Sequence, residues 1–122
     1  MPAFHSSHDG TFDFSENVYT SPLDINRHLI SHPAATYFLR MKSDSLRQDG
    51  ILRNDTLVVD RTLPPTSGSL IVAELNGELL ARRLQIFSGR TTLLCSDGAA
   101  RTISASDTFS VWGVITASFR KY

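Results

Sequence analysis

Cysteine is almost absent: Cys95 stands alone among 122 residues, so the chain can form no internal disulfide and no cysteine-rich metal site. A lone thiol fits a reducing cytoplasm. Lysine is nearly as scarce, occurring only as Lys42 and Lys121. Long apolar runs are also missing, and none approaches the length of a membrane-spanning helix. There is no excess of either charge: 12 Lys and Arg balance 12 Asp and Glu. A dedicated nucleic-acid binder usually carries a basic surplus, so any contact with DNA is expected to run mainly through partners, although a local basic patch remains open. Residues 1–10 lack the basic cluster and apolar core of a signal peptide. His5, His8, His28 and His32 have no supporting cysteine or carboxylate cluster at metal-ligand spacing. No glycine-rich phosphate loop or Ser/His/Asp arrangement can be placed.

What is there suffices for one domain of ordinary size, with 41% hydrophobic residues to build a core. Residues 1–20 are polar with scattered aromatics (Phe4, Phe12, Phe14, Tyr19) and read as a flexible arm that could dock through those rings. Residues 21–122 form the folded domain. Ser21, Pro22 and Asp24 have the spacing of a helix start, with Ile25, Leu29 and Ile30 on the apolar side. Pro33 ends that helix by disfavouring helical geometry at His32.

The pattern then turns to strands, expected at Thr36–Met41, Thr56–Asp60, Ser69–Leu75, Glu78–Ile86, Thr91–Cys95 and Phe109–Phe119. Asn76-Gly77 supplies the positive φ angles of a type I′ hairpin turn. Ser88-Gly89-Arg90 and Asp97-Gly98 mark further turns, and Pro64–Gly68 a loop. Gly113, inside the last strand, marks a bulge or a close backbone approach. The sum is a mainly β fold, a twisted antiparallel domain with one short N-terminal helix.

Two places could carry chemistry. Lys42–Gly50, between two strands, holds Ser43 and Ser45; a serine hydroxyl is a weak nucleophile that needs an adjacent base. By composition alone the stretch is a polar connecting loop. The other place is Arg82. Alternation puts it on one face with Leu80 and Leu84, and puts Leu79, Ala81, Arg83 and Gln85 on the other. A cation between two leucines needs a partner or a function. On this pattern alone, the simpler account has Arg82 at the sheet margin, reaching water through its long stem.

The blocks Ile30–Arg40, Ser43-Asp44-Ser45-Leu46, Gly50–Asp60, Gly77–Gln85, Thr102-Ile103-Ser104 and Asp107–Ile115 strongly resemble, in order and spacing, those of UmuD-type proteins in the LexA/UmuD superfamily of self-cleaving serine peptidases. The resemblance covers about Pro22 to Val114. It implies a LexA/UmuD C-terminal-domain-like fold that dimerises. It also implies a Ser/Lys dyad, in which a desolvated lysine of lowered pKa deprotonates the serine. The family serine falls on Ser45 and the family lysine on Arg82. A guanidinium, with a pKa above about 12, cannot serve as that base. Lys42 lies three residues before Ser45, so local rescue by it is conceivable. Milder departures are Ser43 where the family often has Gly, Leu46 where it has Met, and Asn54 where Gly is common. Asn tolerates the left-handed backbone that such a turn needs.

Self-cleaving relatives cut at a Cys-Gly or Ala-Gly bond in the N-terminal arm. By spacing from the helix, that bond falls at Asp9-Gly10, an altered and vestigial cleavage site. With so few residues ahead of it, the chain is expected to stand in an already trimmed form. The resemblance implies a UmuD′-like, non-self-cleaving accessory subunit of an error-prone, UmuC-like Y-family polymerase. It would act as a homodimer in SOS translesion synthesis, with the RecA filament as a further partner. It implies no cofactor, metal or membrane contact. One alternative is a serine peptidase that retains activity through Ser45, aided by Lys42 or a histidine. Another is a cleavage-dead partner that heterodimerises with a LexA-like or UmuD-like protein. A DNA-binding repressor is disfavoured because no helix-turn-helix region precedes the domain.

Overall fold

The computed structural model describes residues 12–14 and 33–120. The helix expected before Pro33, the four histidines and Asp9-Gly10 lie outside the described residues. Eight strands make one sheet: β1 (Phe12–Phe14), β2 (Thr36–Met41), β3 (Thr56–Asp60), β4 (Leu70–Leu75), β5 (Glu78–Phe87), β6 (Arg90–Leu94), β7 (Ala100–Thr102) and β8 (Phe109–Phe119). Every neighbouring pair is antiparallel. The order is β1-β2-β3-β8-β4-β5-β6-β7, so the last strand sits at the centre. The short β1 belongs to the arm segment, and its backbone pairs with the end of β2, Phe12 opposite Met41. Two 3-10 turns, Pro33–Ala35 and Arg47–Asp49, are the helical pieces among the described residues.

The turns form where the chain can adopt their backbone angles. Asn76 and Gly77 both have positive φ (51° and 89°), as do Ser88 and Gly89 (52° and 77°). These are the angles of a two-residue I′ hairpin, whose twist matches that of the flanking strands. Asn54 also has positive φ, at 77°, so asparagine carries the turn before β3 without glycine.

The sheet curls on itself. Leu39 and Met41 of β2 pack in one buried cluster with Leu46, Leu57, Val59, Val72, Leu79, Ala81 and Trp112. That cluster brings the two halves of the sheet face to face. A second cluster, Ile71, Ala73, Leu75, Leu84 and Leu93, covers the opposite face of β4 and β5 together with Leu80, Phe109 and Val111. Strands buried on both faces read as continuous apolar runs rather than alternating ones, and Ile71-Val72-Ala73 is such a run.

Two register shifts bend β8. Val72 and Ala73 face Gly113 and Val111, leaving Trp112 as the extra residue, and Val58 and Val59 face Ala117 and Ile115, leaving Thr116. Such bulges increase local twist. Trp112 is then held by Tyr37, edge-on at 5.3 Å between ring centroids, and by the Arg61 guanidinium 4.3 Å above its ring.

Candidate active site

Strand β6 leaves the ladder after Leu94, which pairs with Arg83. The edge of β5 around Ala81 and Arg82 is therefore free of a β6 neighbour, and the loop after β2 takes that place. The Ser45 hydroxyl donates to the Ala81 carbonyl oxygen at 3.2 Å, and Arg82 Nη1 donates to the same oxygen at 2.7 Å. Ser43 Oγ lies 3.0 Å from Ser45 Oγ. Because the Ser45 proton goes to Ala81, the Ser43 hydroxyl is the donor in that contact; a hydroxyl has one proton to give.

The loop is fixed from several directions. Leu46, the next residue, is fully buried in the first cluster. The Ser45 carbonyl accepts the Ser96 N–H at 2.8 Å. Arg53 spans the loop, donating to the Lys42 carbonyl and to Asp44 Oδ2. Arg83 donates to the Gly68 carbonyl and, at 2.8 Å, to Asp49 Oδ1, while Ser96 Oγ donates to Asp49 Oδ2. The Ser96 hydroxyl and the Arg83 guanidinium hold the Asp49 carboxyl below its ordinary pKa, against a smaller upward push from burial. Asp49 thus ties the 3-10 turn, β5 and the loop after β6 into one frame around Ser45.

The two residues singled out from the sequence, Ser45 and Arg82, meet at one backbone carbonyl. Arg82 is half-buried on the face with Leu80 and Leu84, and its guanidinium reaches the free strand edge. Among the described residues no carboxylate lies within ion-pair distance of it; Asp44 pairs with Arg53 instead. Lys42 Nζ makes no hydrogen bond to Ser45. A cleft of about 410 Å³ beside Ser45 is lined by Asp44, Arg47, Gln48, Cys95, Ser96 and Asp97. Among the described residues that line it there is neither amine nor imidazole. Chemically, the Ser45 proton is directed at an amide oxygen, and the adjacent cation has donors only. Neither group can accept that proton in a nucleophilic attack.

The sequence did not reveal the Ala81 carbonyl, the contact between Ser43 and Ser45, or the Arg83–Asp49–Ser96 frame. One signal was available: two consecutive arginines in the middle of a strand must point to opposite faces, so each needs its own destination.

The family described as Peptidase S24-like matches residues 3–116. The chain is 36% identical over 94 residues to the protein ImpA of Salmonella typhimurium, an alignment covering 77% of this chain and 65% of ImpA. It is 36% identical over 99 residues to the protein SamA of Salmonella typhimurium strain LT2, covering 81% of this chain and 69% of SamA. It is 34% identical over 86 residues to the LexA repressor of Bordetella pertussis, covering 69% and 40%. The chain therefore spans slightly less than two-thirds of the length of ImpA.

Proposed function

The chain belongs to the Peptidase S24-like family as a UmuD-like member of the LexA/UmuD superfamily, and from that premise we propose that it serves as an accessory subunit of an error-prone translesion DNA polymerase without cleaving itself. The observation that carries the second half is the shared acceptor at Ala81. The hydroxyl that would attack is hydrogen-bonded to an amide oxygen, and the position of the general base holds a guanidinium bonded to that same oxygen. A guanidinium stays charged at any pH a protein survives.

What remains is a rigid β scaffold. In this reading it acts as a homodimer in the cytoplasm, bound to a UmuC-like Y-family polymerase and to the RecA filament during the SOS response. The balanced charge of the chain supports contact with DNA through those partners rather than by a basic surface of its own.

The test is complementation. Cells that lack their UmuD-like subunit but carry the polymerase are given the wild-type chain or Ser45→Ala, and damage-induced mutation frequency is measured. Equal restoration by both supports a scaffold role that needs no hydroxyl. Restoration by the wild type alone would show that the serine is used chemically, and restoration by neither would remove the polymerase partnership.

A further inference from the structure

Among the described residues two large apolar side chains are exposed, Ile86 at 46% and Phe87 at 74%. They are consecutive, at the tip of the β5–β6 hairpin, and alternation sends them to opposite faces of the ribbon. Phe87 stands across from Arg90, and Ile86 across from Thr91. Cross-strand neighbours share a face. One face of the tip therefore carries Phe87 beside Arg90, and the other carries Ile86. The tip is a wedge with apolar surface on both sides, a shape that fits a cleft better than a flat surface.

The wedge is held in shape. Ser88 and Gly89, both at positive φ, close it as a two-residue turn. The loop before β4 braces it from the side: the Ile86 N–H donates to Ser67 Oγ at 2.9 Å, and the Gly68 N–H donates to the Leu84 carbonyl at 2.7 Å. An anchor already fixed in its bound shape loses little conformational freedom on association. Aromatic residues and arginine are also the types that dominate binding energy at protein interfaces.

The charges narrow what the tip can meet. Arg90 is the one charged residue in residues 84–96, and residues 64–73 carry none. Arg90 is exposed, and among the described residues no carboxylate pairs with it. A second copy meeting it tip to tip would set Arg90 against its own counterpart. So few residues also fall short of the roughly 20–30 a side that a stable interface uses, so the tip is one anchor of a larger contact. Binding to DNA is built from several phosphate contacts, and one arginine supplies one. The complement is a protein cleft, apolar inside and acidic at its rim.

We propose that the hairpin tip at residues 86–90 docks into such a cleft on the polymerase subunit. This rests on the polymerase partnership proposed above and adds the surface that makes it.

The full chain and the UmuC-like polymerase of the same organism, both purified, are titrated against each other. Wild type binds. Phe87→Ser and Arg90→Glu each weaken binding by about tenfold or more, as loss of an interface anchor does, and Arg90→Lys keeps most of the affinity. Both positions are exposed, so the variants keep the wild-type urea midpoint. Wild-type affinity in Phe87→Ser or in Arg90→Glu overturns the docking surface and leaves the partnership standing. No binding by the wild type removes the partnership, and the docking surface with it. A change of oligomeric state in Phe87→Ser would assign the tip to a second copy. Labelled DNA that the wild type binds and Phe87→Ser does not would assign it to nucleic acid. Either result overturns the proposal.

Discussion

Arg120 grips Asp55 through two parallel bonds, Nε to Oδ1 at 2.8 Å and Nη2 to Oδ2 at 2.9 Å, and so fastens the end of β8 to the turn that precedes β3. A further donor, the Leu52 N–H, reaches Asp55 Oδ2 at 2.9 Å. The carboxylate side chain is 2% exposed, whereas that of Arg120 is 35% exposed. Removing one partner of a fully buried pair costs about 3–5 kcal/mol, and the solvation of Arg120 reduces that. Arg120→Ala is therefore expected to destabilise the fold by about 1–2 kcal/mol, read as a lower urea midpoint at unchanged slope. Arg120→Lys should recover only part of the loss, since an ammonium cannot form the two-point contact. A midpoint unchanged in Arg120→Ala would show that the pair contributes nothing.

The same carboxylate sets part of the acid sensitivity. Burial pushes the Asp55 pKa up, but the Arg120 hydrogen bond and the Leu52 N–H together outweigh it, and the group ends below its ordinary value. The unfolded chain then binds the proton more readily than the folded one. The stabilisation is complete above the ordinary aspartate value near about 4 and is lost as pH falls through the depressed folded value. Asp49 has the same sign, with its shift led by the Ser96 and Arg83 hydrogen bonds. Urea titrations of wild type and Asp55→Asn from neutral pH to about pH 3 should show a stability gap that narrows on acidification. A gap constant across that range would contradict the assignment.

Most of the framework was legible because its signals are local. The edges of β2, β3 and β8 follow from runs of apolar and β-branched residues, and the hairpin at Asn76-Gly77 follows from a two-residue demand for positive φ. Ser45 and Arg82 stood out in the sequence, one from the family blocks and the other also as a charge among leucines. What joins them did not. A backbone carbonyl has no residue type to read, and Ala81 accepts both donors only because β6 departs after Leu94. Burial of both faces of β5 was likewise hidden. Alternation names two faces but does not say that a curled sheet covers both.

Gly113 shows why the last strand needs a residue without a side chain. A β-carbon there would stand 2.5 Å from Val59 Cγ1 and 3.4 Å from the Asp60 carbonyl. Val59 is fully buried, so it has little room to yield. Gly113→Ala should destabilise the domain by about 1–3 kcal/mol, the usual cost of overpacking a tight core. Val59→Ala opens the space that the new methyl would fill. The double variant should therefore cost less than the sum of the two single variants, by an amount that exceeds ordinary additivity error. Strict additivity in urea unfolding would mean that the two positions do not compete for the same volume.

Arg82→Lys asks whether an amine at position 82 is enough to activate Ser45. An ammonium, unlike a guanidinium, can lose its proton: free lysine titrates near about 10.4, and burial among leucines lowers that value. Below the pKa, the neutral fraction rises about tenfold per pH unit, and a Ser45-dependent cut in the segment before β1 should rise with it. Intact-mass spectrometry of the purified full chain, incubated from neutral pH to about pH 10, follows the reaction. Wild type should remain intact throughout, because a guanidinium has donors only and offers the serine no base. Arg82→Lys should lose its N-terminal segment progressively faster as pH rises, and Arg82→Lys combined with Ser45→Ala should not. If Arg82→Lys folds yet stays uncut at every pH, the hydrogen bond from Ser45 to Ala81, or the altered sequence at Asp9-Gly10, is also disabling. If the wild type is cut in a Ser45-dependent way, a base other than position 82 serves this hydroxyl and the non-cleaving assignment fails.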